Sequence, residues 1–163
     1  FLDTIFERKN FLNEIVWAYD FGTRSRDRWP KKHQTILVYA KQLGRHIFNW
    51  QEIMELLSTT TSFTLRGRRF RDKLPSDVWW YPIATTGERL GYPNQKPISI
   101  LRRVITASSR PNDWVLDFFA GSGTTGAAAA ELGRRFILID NNPAAIVCMH
   151  QRFADLHVGY FQA

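Results

Sequence analysis

The residue types best suited to chemistry lie close together in the second half of the chain. Residues 115–126 read VLDFFAGSGTTG, so Gly121, Gly123 and Gly126 form a G-x-G-x-x-G pattern directly after an apolar run that contains Asp117. A second apolar run, FILID, ends in Asp140, which lies 19 residues past Gly121. Glycines at this spacing let the backbone turn tightly and come close to a ligand, and the helix that follows offers unpaired N–H groups in its first turn. An acid at the tip of the next strand can accept two ribose hydroxyls as a fork. Strand, glycine loop, helix, strand and acid, in that order, form the arrangement for a nucleotide-type cofactor at a switch point of a parallel sheet.

Asp117 bears on which cofactor. A dinucleotide would set its pyrophosphate on the helix N-terminus, where a neighbouring carboxylate repels it. The same carboxylate suits a ligand with positive charge there, such as the amino or sulfonium group of S-adenosylmethionine (SAM). A plain turn-former capping the loop is the structural alternative for Asp117. Acid, aromatics and glycines arriving as one string, DFFAGSG, favour the cofactor role.

A second kind of chemistry is written in the charge distribution. Between Gly22 and Lys73 there are 12 basic residues against four acidic ones, a local +8, whereas residues 111–163 carry three basic and five acidic, a local −2. Two clusters make the excess: Arg24, Arg26, Arg28, Lys31 and Lys32, then Arg66, Arg68, Arg69, Arg71 and Lys73. Arginines interleaved with Phe21, Trp29 and Phe70 are what a polyanion-binding surface looks like, and the guanidinium fork suits phosphate or guanine. One such cluster would read as a solvated face; two in one half point to nucleic acid. His33, His46, His150 and His157 show no metal-ligand spacing, and the single Cys148 reads as a core residue in a reducing compartment, so no metal is expected.

These residues must be positioned by alternating elements. Residues 1–6 read as the end of a helix, 12–19 (LNEIVWAY) and 34–40 (QTILVYA) as strands, with a basic loop at 20–32 between them. Trp50, Ile53, Met54 and Leu57 have helical spacing and predict a helix over 49–57. Residues 58–94 read as irregular. An amphipathic helix is expected over 98–108 behind Pro97, a buried strand over 114–119, and an Ala-rich helix over 124–132 closed by Gly133. Another buried strand over 136–139 and a helix over 143–154 complete the chain. At 163 residues, 44% hydrophobic and 23% charged, the composition is that of an ordinary folded domain and excludes disordered, collagen-like and disulfide-scaffold classes. No apolar stretch approaches the roughly 20 residues of a membrane span, and a cytoplasmic, nucleoid-associated protein of a prokaryote or phage is expected.

Taken together, the motifs resemble one family. DFFAGSGTT is similar to the SAM-binding motif D-P-F-x-G-S-G-T-T of the amino-group (N6-adenine/N4-cytosine) DNA methyltransferases, with Phe118 where proline is usual. YPNQKPISILRRVI resembles their H-P-T-Q-K-P motif and following helix, with Tyr92 and Asn94 as departures; RRFILIDNNP resembles their second SAM motif. WPKKHQTILVYAK resembles a strand of the catalytic half, and its position before the glycine loop matches the permuted (beta-type) class. The resemblance implies an α/β fold, a Rossmann-like SAM-dependent methyltransferase sheet, here incomplete, with an inserted irregular target-recognition segment. It implies residues 1–41 as the end of the catalytic half, 42–91 as the target-recognition segment and 92–163 as the SAM-binding half. Asp117, Phe119, Gly121, Ser122 and Thr124 would line the methionine side, with Phe118 and Gly123 also counted among the cofactor-binding residues; Asp140 would hold the ribose and Asn141 would lie near the adenine. Asn94, Gln95 and Lys96 would bound the pocket from the other side.

The implied partner is double-stranded DNA, within a restriction-modification setting, with a homodimer left open. The implied reaction is methyl transfer from SAM to the exocyclic amine of adenine (N6) or cytosine (N4), on a base flipped out of the duplex. The family receives that base in a loop of the type [D/N/S]-P-P-[Y/F/W]. Prolines stand at 30, 75, 82, 93, 97, 111 and 143, none adjacent, so no catalytic residue is assigned. The expectation is a C-terminal part of a longer methyltransferase, inactive alone. Two alternatives stay open at this point: a non-catalytic DNA-binding protein, which explains the basic half but not the two acids, and an NAD(P)-binding oxidoreductase domain, which explains the glycines but not Asn94–Pro97 or the arginines.

Overall fold

The structure, a computed structural model, describes residues 1–22, 24–53, 55–56, 63–65, 68–70, 72–73 and 76–161; between 55 and 73 it is the backbone pairing that is described. The chain divides into two compact units, Phe1–Tyr81 with Thr106–Ser108, and Pro82–Ile105 with Ser109–Ala163.

The first unit opens with helix α1 (Leu2–Phe6), a 3-10 turn (Arg8–Asn10) and strand β1 (Phe11–Ala18). β1 pairs antiparallel with β2 (His33–Tyr39), from Phe11↔Tyr39 to Ala18↔His33. Three short segments follow: β3 (Glu55–Leu56), β4 (Phe63–Leu65) and β5 (Arg68–Phe70), then β6 (Asp72–Lys73); β3 pairs with β6 and β4 with β5, both antiparallel. Strand β7 (Val78–Trp80) runs parallel to β1 on the edge opposite β2. Trp17 and Trp79, neighbours in that register, are both buried, and Trp17 Nε1 donates to the Tyr81 carbonyl (2.9 Å).

Two expectations fail in this unit. Residues 50–53 form turns and Glu55–Leu56 is a strand, so there is no helix over the described part of 49–57. Two turns of apolar spacing are too little to hold a helix by themselves, and Asn49 is drawn elsewhere. Its N–H donates to the Ala107 carbonyl (2.8 Å) and its Nδ2 to the Thr106 carbonyl (2.9 Å). Residues 58–94 are not wholly irregular either, because they contain β4 to β7, runs of two or three residues whose alternation is too short to read.

The second unit contains α2 (Ile98–Ser108), whose last three residues belong to the first unit, then β8 (Trp114–Asp117), α3 (Thr124–Glu131), β9 (Arg135–Leu138) and α4 (Pro143–Arg152). β8 and β9 are parallel. α3 packs closely because it is built of alanines: Ala128 and Ala129 are fully buried against Ile105, Val115 and Phe136. It ends in a Schellman turn, with Gly133 at φ 70°, its N–H on the Ala130 carbonyl and the Arg134 N–H on the Ala129 carbonyl. Ala120, Ala145, Met149 and Phe153 form a second cluster with Tyr92, Phe136 and Leu138. The two strands are not the buried runs expected from their composition. Exposure alternates along each, and Trp114, Leu116 and Ile137 stand about half exposed on the face away from these clusters. No helix among the described residues is long and apolar enough to cross a membrane.

Candidate functional site

Parallel pairing sets the carboxyl ends of β8 and β9 side by side. The ladder continues past both strands: the Ile139 N–H donates to the Asp117 carbonyl (2.8 Å) and the Ala120 N–H to the Ile139 carbonyl (3.1 Å). Asp117 and Asp140 therefore emerge at the strand ends, where open α/β sheets bind ligands.

Each acid is already engaged with the loops around it. Asp117 accepts the Phe119 N–H on Oδ1 (3.0 Å) and the Thr125 hydroxyl on Oδ2 (2.6 Å), tying the glycine loop to the start of α3. Asp140 accepts the Gly121 N–H on Oδ2 (2.8 Å) and the Asn142 N–H on Oδ1 (2.9 Å), tying the same loop to the turn before α4. Each carboxylate oxygen keeps acceptor capacity for a further donor.

The three glycines have distinct reasons. Gly121 and Gly123 adopt φ 52° and 73°, in the left-handed region. A Cβ on Gly121 would meet Tyr92 Cε1 at 3.0 Å, and one on Gly123 would meet Met149 Cγ and Phe153 Cε2, also at 3.0 Å. On Gly126 it would lie 2.7 Å from Leu138 Cδ1 and 2.9 Å from Phe153 Cζ, so this glycine lets α3 pack against β9. Beneath the loop, Ser122 and Thr124 are buried and share a hydrogen bond between hydroxyls (3.0 Å). Arg152 Nε donates to the Ser122 carbonyl (2.5 Å), and burial holds the Arg152 guanidinium below its ordinary pKa, against the pull of Cys148 and Glu88. Phe118 and Phe119 are 59% and 90% exposed, so these loop aromatics present surface and do not pack a core. Asn141 is exposed as well.

The segment before α2 is organised by Glu88, which sequence reasoning did not single out, and by Gln95, which it did. Glu88 accepts the Ile98 N–H on Oε1 (3.0 Å), at the first turn of α2, and the Thr85 N–H (2.9 Å) and hydroxyl (3.2 Å) on Oε2. Partial burial pushes its carboxyl up, but the Thr85 and Ile98 donors outweigh this and hold it below the ordinary glutamate value. Gln95 turns back on its own segment, accepting the Leu90 N–H (3.0 Å) and donating to the Glu88 carbonyl (2.6 Å). Asn94 (φ 56°) and Lys96 are exposed. The side chain that reaches the glycine loop is Tyr92, whose hydroxyl also accepts from Asn142 Nδ2 (3.4 Å). Asn142 carried a readable signal, since Asn before Pro143 is an N-cap pattern; its Oδ1 accepts the Ala144 N–H (2.9 Å). Arg152 carried none, because its partner is 30 residues away.

In the first unit, Arg24, Arg26, Arg28 and Lys31 are exposed on the loop joining β1 and β2, with Lys32 half-buried. The loop is closed by the Tyr19 N–H on the Lys32 carbonyl (3.0 Å), and Trp29 in it is 97% exposed. Arg28 pairs with Asp27 (3.1 Å). Arg68 and Arg69 lie on β5 and Lys73 on β6, while Arg66 and Arg71 lie outside the described residues. Among the described residues, no group of three or more His, Cys, Asp or Glu could hold a metal ion.

The parallel strand pair, glycine loop and strand-end acids define a Rossmann-like methyltransferase fold, and solved structures of that class match the chain. PvuII DNA methyltransferase (cytosine-N4-specific) aligns with a TM-score of 0.71 at 18% identity, covering 97% of this chain and 56% of that one. The M1.HpyAVI–SAM complex aligns at 0.63 and 24% identity, covering 88% and 62%. Within that class the chain belongs to the N6/N4 DNA methylase family, whose model matches residues 1–149. It is 36% identical over 140 residues to DNA adenine methyltransferase YhdJ of Escherichia coli (strain K12), covering 80% of this chain and 48% of the relative. It is 40% identical over 140 residues to the type II methyltransferase M2.LlaDCHI of Lactococcus lactis subsp. cremoris, covering 80% and 46%. The chain thus spans about half the length of these curated relatives.

Proposed function

We propose that the chain holds SAM and duplex DNA for methyl transfer to the exocyclic amine of adenine (N6) or cytosine (N4). The observation that carries this reading is the pair of strand-end carboxylates, Asp117 and Asp140, fixed on the glycine loop by backbone donors while retaining acceptor capacity. That donor-accepting set fits a ligand with an ammonium group and ribose hydroxyls, and is ill suited to a pyrophosphate. When bound, SAM supplies a methyl group made electrophilic by the sulfonium. Asp140 would accept from the ribose, Asp117 would face the methionine end, and Phe119 and Asn141 would cover the exposed side. Asn94, Gln95 and Lys96 would act through the segment that Gln95 and Glu88 order. The Arg24–Lys32 loop, together with Arg66, Arg68, Arg69, Arg71 and Lys73, would meet DNA phosphates.

The relatives' names divide between adenine and cytosine-N4 specificity, and both amines ask the same of these residues. No Pro-Pro base-receiving loop occurs in the 163 residues, so cofactor and DNA binding without turnover is the contribution proposed for them. Calorimetric titration with SAM and with NADH tests the reading. Binding of SAM and not NADH is expected; the reverse would replace it with the oxidoreductase alternative.

A further inference from the structure

The first unit has a second basic surface, at the end of the β1–β2 hairpin away from the Arg24–Lys32 loop. There an open cleft of about 670 Å³ lies between the 3-10 turn and the chain that leaves β2. Buried Asn10 builds its floor. Its Nδ2 donates to the Phe6 carbonyl (2.7 Å) and the Lys41 carbonyl (3.4 Å), its Oδ1 accepts the Leu43 N–H (2.9 Å), and its own carbonyl accepts the Ala40 N–H (2.9 Å). Three of these bonds, to Ala40, Lys41 and Leu43, hold the two rims at a fixed separation. Lys9 stands on one rim and Lys41, Arg45 and His46 on the other, all exposed. Glu7, the acid of the lining, is ion-paired to Lys9 (2.5 Å). Three cations against one carboxylate leave a concave site of net +2, with the Gln42 amide as an added donor.

We propose that this cleft binds the phosphodiester backbone of duplex DNA, as a contact separate from the Arg24–Lys32 loop; the identity of the polyanion rests on the function proposed above. Flexible ammonium and guanidinium groups around a concave floor suit phosphates, which fix register without reading sequence. The hairpin also sets a length. From the Phe11↔Tyr39 pair to the Ala18↔His33 pair is seven residue steps, about 23 Å at roughly 3.3 Å per residue. A duplex touching both ends of the hairpin must therefore extend over about seven base pairs at 3.4 Å each.

The test is anisotropy titration of the 163-residue chain on duplexes of about 6 and about 20 base pairs across a salt series. For the variant Lys9→Ala/Lys41→Ala/Arg45→Ala, the log K against log salt slope should fall by about 1.8 to 2.7 on the longer duplex, according to whether the Glu7-paired Lys9 meets a phosphate, and hold its wild-type value on the shorter one. A wild-type slope on the longer duplex overturns the proposal, as does an equal loss on both. If circular dichroism shows the triple variant unfolded, Lys41→Ala and Arg45→Ala singly should each lower the slope by about 0.9, and Lys41→Arg should restore it. SAM titration runs alongside. No SAM binding with the predicted slopes sinks the methyltransferase reading and leaves the cleft. SAM binding with unchanged slopes sinks the cleft alone, and no duplex binding by wild type sinks the cleft and the DNA assignment together.

Discussion

Removing the Asp140 carboxylate should separate two jobs of one side chain, one seen in the geometry and one proposed. The first is structural: Oδ2 holds the Gly121 N–H and Oδ1 the Asn142 N–H. Hydrogen bonds to a charged group contribute about 1.5–3 kcal/mol when shielded, but Asp140 is half-exposed and water replaces part of the loss. Asp140→Ala should therefore destabilise the ligand-free chain by about 1–2 kcal/mol, a fall in Tm of roughly 2–8 °C for a chain of this size, with the fold retained. Asp140→Asn is the sharper variant. It keeps one acceptor oxygen, so its NH2 must face either Gly121 N–H or Asn142 N–H, donor against donor.

The second job is the proposed grip on ribose hydroxyls. Losing a charged acceptor there should weaken SAM binding by about 1.5–3 kcal/mol, roughly 10- to 150-fold. Thermal melts of ligand-free protein and calorimetric titration with SAM read the two effects separately. Wild-type Tm with weakened SAM binding would refute the clamp. Lowered Tm with wild-type SAM affinity would refute the ribose assignment, and wild-type values for both would refute the reasoning that places Asp140 at the centre of the site.

Three further outcomes follow from the same geometry. Gly126→Ala puts a methyl 2.7 Å from Leu138 Cδ1 and 2.9 Å from Phe153 Cζ; overpacking of about 1–3 kcal/mol should exceed the helix-propensity gain of up to about 1 kcal/mol, and urea melts should show a net loss. Glu88, held below its ordinary pKa in the fold, contributes stability that is present above the ordinary glutamate value and lost as pH falls through the lowered one; Glu88→Gln should flatten that acid limb in urea midpoints measured at stepped pH. Replacing Arg68, Arg69 and Arg71 with Ala should weaken duplex binding and reduce the salt slope by up to about 2.7, whereas an unchanged slope returns that cluster to a solvated face.

The second unit was legible because its cues are local. The glycine spacing, Pro97 before α2, Gly133 after α3 and Asn142–Pro143 before α4 each state a boundary, and α2 falls on the expected 98–108. The first unit was less so. The helix expected over 49–57 gave way to bonds from Asn49 to Thr106 and Ala107, nearly 60 residues on, which no window of residues displays. β7 was hidden for the same reason, its partner β1 lying some 60 residues earlier. In the site itself, types and order were readable in Asp117, Gly121 and Asp140. That Tyr92 covers Gly121 and that Arg152 holds Ser122 from below was not, since both contacts depend on α4 and the segment before α2 folding back to the loop.

Those unread contacts change the meaning of the read ones. A glycine loop is costly to order because its backbone has the most freedom to lose. Here Asp117 holds the loop at Thr125, Asp140 holds it at Gly121, Arg152 holds the Ser122 carbonyl, and Gly126 seats α3 on β9 before any ligand arrives. Preorganisation of this kind raises affinity by removing an ordering cost from the binding step. The acids therefore need not rearrange to receive a ligand. What remains exposed, Phe118, Phe119 and Asn141, is the surface that a cofactor would cover in the proposed reading. Variants of these clamps should accordingly change SAM affinity and ligand-free stability together, while Phe119→Ala should change affinity with little effect on stability.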